Sequence, residues 1–160
     1  MRHVLRRVWF WLNWPGLYVY FSRSRRVRVV IERAEDGAIL LVQGLWKRWY
    51  DDPGYGLPGG GLKPHESPAD AAVRELAEEL GLQVRPTELV PIGEARVQEY
   101  GLPYQAHFFT IRLAGPIKLT LQSREIVDIR WVKRAALATE RCKPEVLQAL
   151  AAGQQLDLVQ

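Results

Sequence analysis

A single cysteine, Cys142, in 160 residues excludes an intrachain disulfide and a clustered-cysteine metal site. With no histidine at motif spacing, its thiol reads as a structural side chain. Long apolar runs are also missing: Arg6, Arg7, Asn13 and Pro15 break up the aromatic start of the chain, so no 20-residue membrane span is expected there. That start is basic and then briefly apolar, but it carries no small-residue cleavage site. A secretory leader is therefore not expected, and the expected location is cytoplasmic.

Acidic residues are scarce at one end. Residues 1 to 33 hold eight arginines and one acid, while residues 34 to 160 hold fourteen basic and seventeen acidic residues, so the net charge of +4 belongs to the N-terminal part. Residues 1–25 form a basic aromatic arm carrying Trp9, Trp11, Trp14, Tyr18, Tyr20 and Phe21. Three roles fit that composition: packing on the rest of the chain or across a homodimer, lying on an anionic membrane surface, or stacking on single-stranded nucleic acid. With 48% hydrophobic residues, the chain can bury one sizeable core, and the remaining 26–160 is expected to form one compact domain.

Hydrophobic periodicity gives the elements. Arg26 to Glu32 reads as a strand with Val27, Val29 and Ile31 opposing Arg28 and Val30. Glu35-Asp36-Gly37 marks a turn, and Ala38 to Gln43 the hairpin return. Gly44 to Gly56 is a polar and aromatic excursion. Within it Trp49 or Tyr50 suits stacking on a base and Arg48 or Lys47 suits a phosphate; packing of the loop by its own aromatics is the plainer alternative. Leu89 to Tyr100 reads as extended, followed by a turn at Gly101-Leu102-Pro103. Tyr104 to Leu113 reads as a strand bulky on both faces, in which His107 suits an interior hydrogen-bonding role. Ile129, Trp131 and Val132 mark a short strand, Lys133 to Ala138 a short helical turn, and Pro144 to Ala152 a helix stopped by Gly153.

The most specific stretch is Leu57 to Leu82, LPGGGLKPHESPADAAVRELAEELGL. Ser67 is a good N-cap, Pro68 suits the first helical position, and Asp70 is the acidic member of a capping box. Gly81 can close the helix in the left-handed conformation after Leu80. At about 100° per residue, Ala69, Ala72, Val73, Leu76, Ala77 and Leu80 share an apolar side, and Glu75, Glu78 and Glu79 fall opposite.

Carboxylates at i, i+3 and i+4 repel by a few tenths of a kcal/mol per pair, ~0.3. A hard divalent cation such as Mg²⁺ compensates that repulsion with oxygen ligands, and the carbonyls of Gly59 to Gly61 can approach the same ion because no side chain intervenes. An acid-rich helix face alone is ordinary surface. The preceding glycines, Glu66 and Arg74 give it a chemical context, and a Glu66–Arg74 ion pair would clamp the loop.

Gly60, five residues, Glu66, seven residues, then Arg74-Glu75-Leu76-Ala77-Glu78-Glu79-Leu80-Gly81-Leu82 resembles the Nudix box of the Nudix hydrolases at every defining position. The resemblance implies an α/β fold, a Nudix-like α/β/α sandwich with a mixed β-sheet. It also implies hydrolysis of a phosphoanhydride in a nucleoside diphosphate linked to another moiety, with Mg²⁺ or Mn²⁺ as cofactor. By that resemblance Glu75, Glu78 and Glu79 bind metal with the carbonyl of Gly60 or Gly59 nearby, and Glu66 and Arg74 stabilise the loop. His65 departs from the glycine that many members carry before the first box glutamate, which bears on the loop's shape.

Further on, Tyr100, eighteen residues after Leu82, is similar to a tyrosine of dinucleoside-polyphosphate-cleaving members. The proline expected fifteen residues on in many ADP-ribose-cleaving members is replaced by Val97. Glu125, ahead of the tryptophan-containing strand, matches the position of a further base or metal ligand, with Asp128 the lesser option. The general base is one of Glu78, Glu79 and Glu125. Dinucleoside polyphosphates, NTPs, ADP-ribose and nucleotide sugars are the candidate substrates, and a non-catalytic nucleotide-binding regulatory module is the alternative function.

Overall fold

A computed structural model of the chain describes residues 16, 18–20, 22–44, 54–99, 101–121 and 125–157. Its main elements are β1 (Arg25–Arg33), β2 (Ala38–Gly44), α1 (Pro68–Leu80), β3 (Val90–Glu99), β4 (Leu102–Leu113), β5 (Ile126–Lys133) and α2 (Pro144–Asp157). Single 3₁₀ turns occupy Pro86–Glu88 and Arg134–Ala136.

Alternation along the strands sorts the side chains onto two faces. Val27, Val29 and Ile31 of β1 pack with Ala72, Leu76 and Leu80 of α1. Val30 belongs to the opposite layer, with Tyr104, Phe108, Val146 and Ala149. The result is an α/β/α sandwich around a five-stranded sheet ordered β3-β4-β1-β2-β5. β1 and β4 run parallel and the other neighbours antiparallel, so the sheet is mixed. Among the described residues no helix is long and apolar enough to cross a membrane.

One feature of this sheet creates the site. β1 and β2 are in register beside their turn, at Glu32 and Ile39, and the chain from 55 to 62 fills the space between their other ends. Val42 exchanges both backbone hydrogen bonds with Gly56, at 2.8 and 2.9 Å. On the other side Val29 donates to the Pro58 carbonyl, Val27 to that of Gly60, and Leu62 to that of Arg25, at 2.9–3.0 Å. The glycine loop is thus held along β1 like a short extra strand.

Several boundaries differ from the sequence expectation. β4 begins at Leu102, because Glu99 and Gln98 pair with Leu102 and Pro103; the turn is shorter than Gly101-Leu102-Pro103, and Gly101 supplies its positive φ of 75°. β5 begins at Ile126, three residues before Ile129, since its first residues pair with the end of β2. Helix α2 does not stop at Gly153 but continues to Asp157. A side chain at Gly153 would meet Ile92, and one at Gly93 would meet Ala152, so the helix lies close against the β3 bulge and tertiary packing outweighs the glycine's helix-breaking tendency. On α1, Ala71 is fully buried beside Ala72, Leu76 and Leu80 although it lay outside the expected apolar side. The broad sheet covers more of the helix than one stripe.

Leu76 is fully buried at the centre of the α1 layer. Leu76→Ala is expected to destabilise the fold by about 3 kcal/mol, read from the midpoint of urea unfolding at unchanged m-value.

Candidate active site

Ser67 caps α1 by accepting the Asp70 N–H at 3.1 Å. The Asp70 carboxylate takes the Ser67 hydroxyl proton at 2.6 Å, rather than the N-cap N–H of a reciprocal capping box. At the other end Gly81, with φ 68°, donates to Ala77 while Leu82 donates to Leu76. The first of these is the C-terminal bond that closes a helix with a left-handed residue. Both ends of the acidic helix are therefore capped.

Arg74 is the hub of the exposed side. Its guanidinium grips Glu66 through both carboxylate oxygens at 2.8 and 3.0 Å, and it also donates to the Gly61 carbonyl at 2.9 Å, Glu75 at 2.8 Å and Glu78 at 3.2 Å. The Arg74 bonds, followed by the Lys63 N–H, hold the Glu66 carboxyl down at about 2. Immediately before Glu66, His65 adopts φ 63°. This left-handed conformation favours glycine, so the departure at His65 leaves the turn in place with some strain.

Glu79 lies on the inner side. It accepts the Gly59 N–H at 2.8 Å. Burial is the main reason its carboxyl is lifted to about 7; the Gly59 N–H and the charge of Arg28 oppose that rise, and the negative charges of Glu75 and Glu125 reinforce it. Gly59 has φ 131°, and a side chain there would run into the Val27 carbonyl. A side chain at Gly60 would strike the Glu75 carboxylate at 2.3 Å. Gly59 is therefore required where the loop passes between β1 and α1, and a side chain at Gly60 would displace the Glu75 carboxylate.

The structure brings Glu66, Arg74, Glu75, Glu78 and Gly61 into one network and places Glu79 against Gly59, with Glu75 and Glu125 as its charged neighbours. It does not draw Glu75, Glu78 and Glu79 into a closed cage: among the described residues no three acids, histidines or cysteines stand close enough to form one. Arg74 is the reason for part of this, since it attracts Glu75 and Glu78, and Glu78 is more than half exposed and also faces Lys63 at 3.7 Å. The Gly60 carbonyl accepts the Val27 N–H, leaving one lone pair for another partner. A divalent cation nevertheless fits the chemistry of this donor set, because Glu79 is a buried hard-oxygen donor whose ionisation two neighbouring carboxylates disfavour.

Asp128 is committed elsewhere, accepting the Tyr55 hydroxyl and facing Arg130. His107 is satisfied by Glu94 at 2.8 Å and by the Arg25 guanidinium at 3.2 Å, as an interior histidine should be. Arg48, Trp49, Tyr50, Tyr100 and most of residues 1–25 lie outside the described residues. A cavity of about 490 Å³, lined by Val30, Glu32, Ile92, Arg112 and Leu150 among others, sits towards the end of β1 away from the glycine loop and is separate from this site.

The sequence reading missed a second charged group, behind the loop. Arg28 is buried on the α2 side of β1 and donates to the Gly59 carbonyl at 2.7 Å. Glu99, Lys143, Glu145 and Tyr104 surround it. The available signal was an arginine alternating with Val27 and Val29 in a strand whose two faces are both buried.

A family model described as NUDIX domain matches residues 22–150. Across 103 residues the chain is 32% identical to a protein of Mycobacterium tuberculosis named putative 8-oxo-dGTP diphosphatase 3; the match covers 63% of this chain and 46% of that protein. The chain thus spans less than half the length of this curated relative. A MutT protein from Methanosarcina mazei Go1 superposes with a TM-score of 0.69 at 19% identity, over 86% of this chain and 96% of that one. A C. elegans Ap4A hydrolase in a binary complex gives 0.67 at 20% identity, over 86% and 99%. The chain belongs to the Nudix hydrolase family. Members of this family are pyrophosphohydrolases and generally use divalent cations.

Glu66 links this geometry to stability. Its folded value of about 2 lies below the ordinary 4.5, so its stabilising contribution is present above 4.5 and is lost as pH falls through 2. The stability gap between the parent and Glu66→Gln is expected to narrow from pH 6 to pH 3 in urea titrations; a constant gap would remove the Glu66–Arg74 pair as its cause.

Proposed function

We propose that this chain catalyses metal-dependent hydrolysis of a phosphoanhydride bond in a nucleoside diphosphate linked to another moiety. Glu75, Glu78 and Glu79, with the Gly59 or Gly60 carbonyl, would hold Mg²⁺ or Mn²⁺. When bound, that ion supplies charge neutralisation on phosphate oxygens and lowers the pKa of a coordinated water.

The chain's own residues do the rest. Arg74 and Glu66 fix the loop and hold Glu75 and Glu78 at its rim. Gly59 and Gly60 allow backbone and phosphate to approach closely, since neither presents a side chain. A proton from the attacking water is taken by Glu79, Glu78 or Glu125.

Glu79 is the observation that carries this reading. A largely buried carboxyl against the glycine loop, hydrogen-bonded to Gly59 and held back from ionising chiefly by its burial, is a place where a cation relieves the cost of the negative charge. Dinucleoside polyphosphates and NTPs head the order of substrates, ahead of ADP-ribose and nucleotide sugars. The names of two similar proteins, a putative 8-oxo-dGTP diphosphatase and an Ap4A hydrolase, support that order, as does Tyr100.

Glu79→Gln is expected to keep the fold and lower kcat by about 10²- to 10⁴-fold. The check is a mass-resolved product assay over these four substrate classes, with and without Mg²⁺. Nucleotide binding with no bond cleaved in any of them would instead favour the non-catalytic module.

A further inference from the structure

The charged group behind the glycine loop is unusual for its setting. Arg28 occupies β1 between Val27 and Val29, both fully buried, and its own side chain is 6% exposed. Burying a guanidinium there costs desolvation, which the charges of its neighbours Tyr104, Glu145 and Glu99 offset. Glu99 stands 3.5 Å and Glu145 3.8 Å from its nitrogens, and the Arg28 Nε and one Glu145 oxygen make no hydrogen bond. These acids balance its charge without gripping it.

Its hydrogen bonds go to backbone instead. Nη1 donates to Gly59 at 2.7 Å and more weakly to Val27 at 3.2 Å. Gly59 is the residue whose N–H holds Glu79. One glycine is thus fixed at both of its polar groups, by Arg28 from the α2 side of the sheet and by Glu79 from the α1 side.

A hydrophobic residue at position 28 would join the layer formed by Val30, Tyr104 and Val146 without these electrostatic costs. The arginine is better explained by what it holds than by what it stabilises. We propose that Arg28 is a positioning residue: by fixing the Gly59 carbonyl it sets the glycine loop, and through Gly59 the Glu79 carboxylate, in the arrangement that takes up the divalent cation. The proposal rests on the metal-dependent reading above and adds a residue outside the Nudix box.

The test separates positioning from structural support. The pair Arg28→Met with Glu145→Gln removes one buried charge of each sign and leaves Glu99 with Lys143 at 2.6 Å and Arg26 at 3.8 Å. This double variant is expected to melt at or above the parent temperature, while its Mn²⁺ dissociation constant, measured without nucleotide by the free-ion electron paramagnetic resonance signal, rises about 10- to 100-fold. Its kcat should fall with little change in nucleotide KM. Arg28→Lys, which keeps the charge but not the guanidinium fork, should recover only part of the Mn²⁺ affinity.

Parental Mn²⁺ affinity in a folded double variant overturns the proposal, and so does parental affinity in folded Arg28→Lys should the double variant not fold. Failure of both variants to fold would assign Arg28 to the core alone and overturn it as well. A parent protein that binds no Mn²⁺ would sink the metal reading itself, and the inference with it, which is a distinguishable result.

Discussion

The hydrogen bond from the Gly59 N–H to Glu79 joins the two halves of the site. It ties the acidic helix, which packs on one face of the sheet, to a loop that belongs to the sheet itself. Everything else in the site serves to make that contact. β1 and β2 leave a space that residues 55–62 fill, the Pro58 and Gly60 carbonyls satisfy β1, and the absence of side chains at positions 59 and 60 lets helix, loop and strand approach within van der Waals distance. The buried end of the helix then presents a carboxylate whose ionisation the surroundings make difficult, which is the electrostatic condition that a cation relieves.

Two arginines hold this loop from opposite sides. Arg74, on the helix, donates to the Gly61 carbonyl and is balanced by Glu66, Glu75 and Glu78 near solvent. Arg28, on β1, donates to the Gly59 carbonyl and is balanced by Glu99 and Glu145 in the interior. Their surroundings give them different weight. The half-buried pairs of Arg74 with Glu66 and Glu75 and its exposed pair with Glu78 contribute geometry more than stability, whereas the buried group around Arg28 keeps its electrostatic strength and its desolvation cost. The side chain of Arg28 also links the loop to the start of α2, because Glu145 comes from that helix.

Much of this architecture was legible from residue pattern. The period of β1, the Ser67 and Gly81 boundaries and the spacing from Gly60 to Leu82 all act locally, so the chemistry of each residue announces its structural role. What escaped the sequence was set by contacts between distant segments. α2 passes Gly153 because the β3 bulge packs against it, and Ala71 is buried because the sheet is broader than a single helical stripe. The Arg28 cluster unites residues more than a hundred positions apart, from β1, β3, β4 and α2, and no spacing rule joins them. The acids were placed correctly on the helix, but their orientation was not legible. Arg74 competes for Glu75 and Glu78, and only the folded arrangement shows that Glu79 turns inwards while Glu78 turns out.

The central claim is that the buried carboxylate and the glycine loop together hold a divalent cation. Anomalous diffraction from crystals soaked in Mn²⁺ with a non-hydrolysable dinucleoside polyphosphate tests it most directly. The account predicts a Mn²⁺ peak within about 2.5 Å of a Glu79 oxygen, with Glu75 and the substrate phosphates around the same ion. A peak bound elsewhere, with Glu75 and Glu79 turned away from the phosphates, would contradict it.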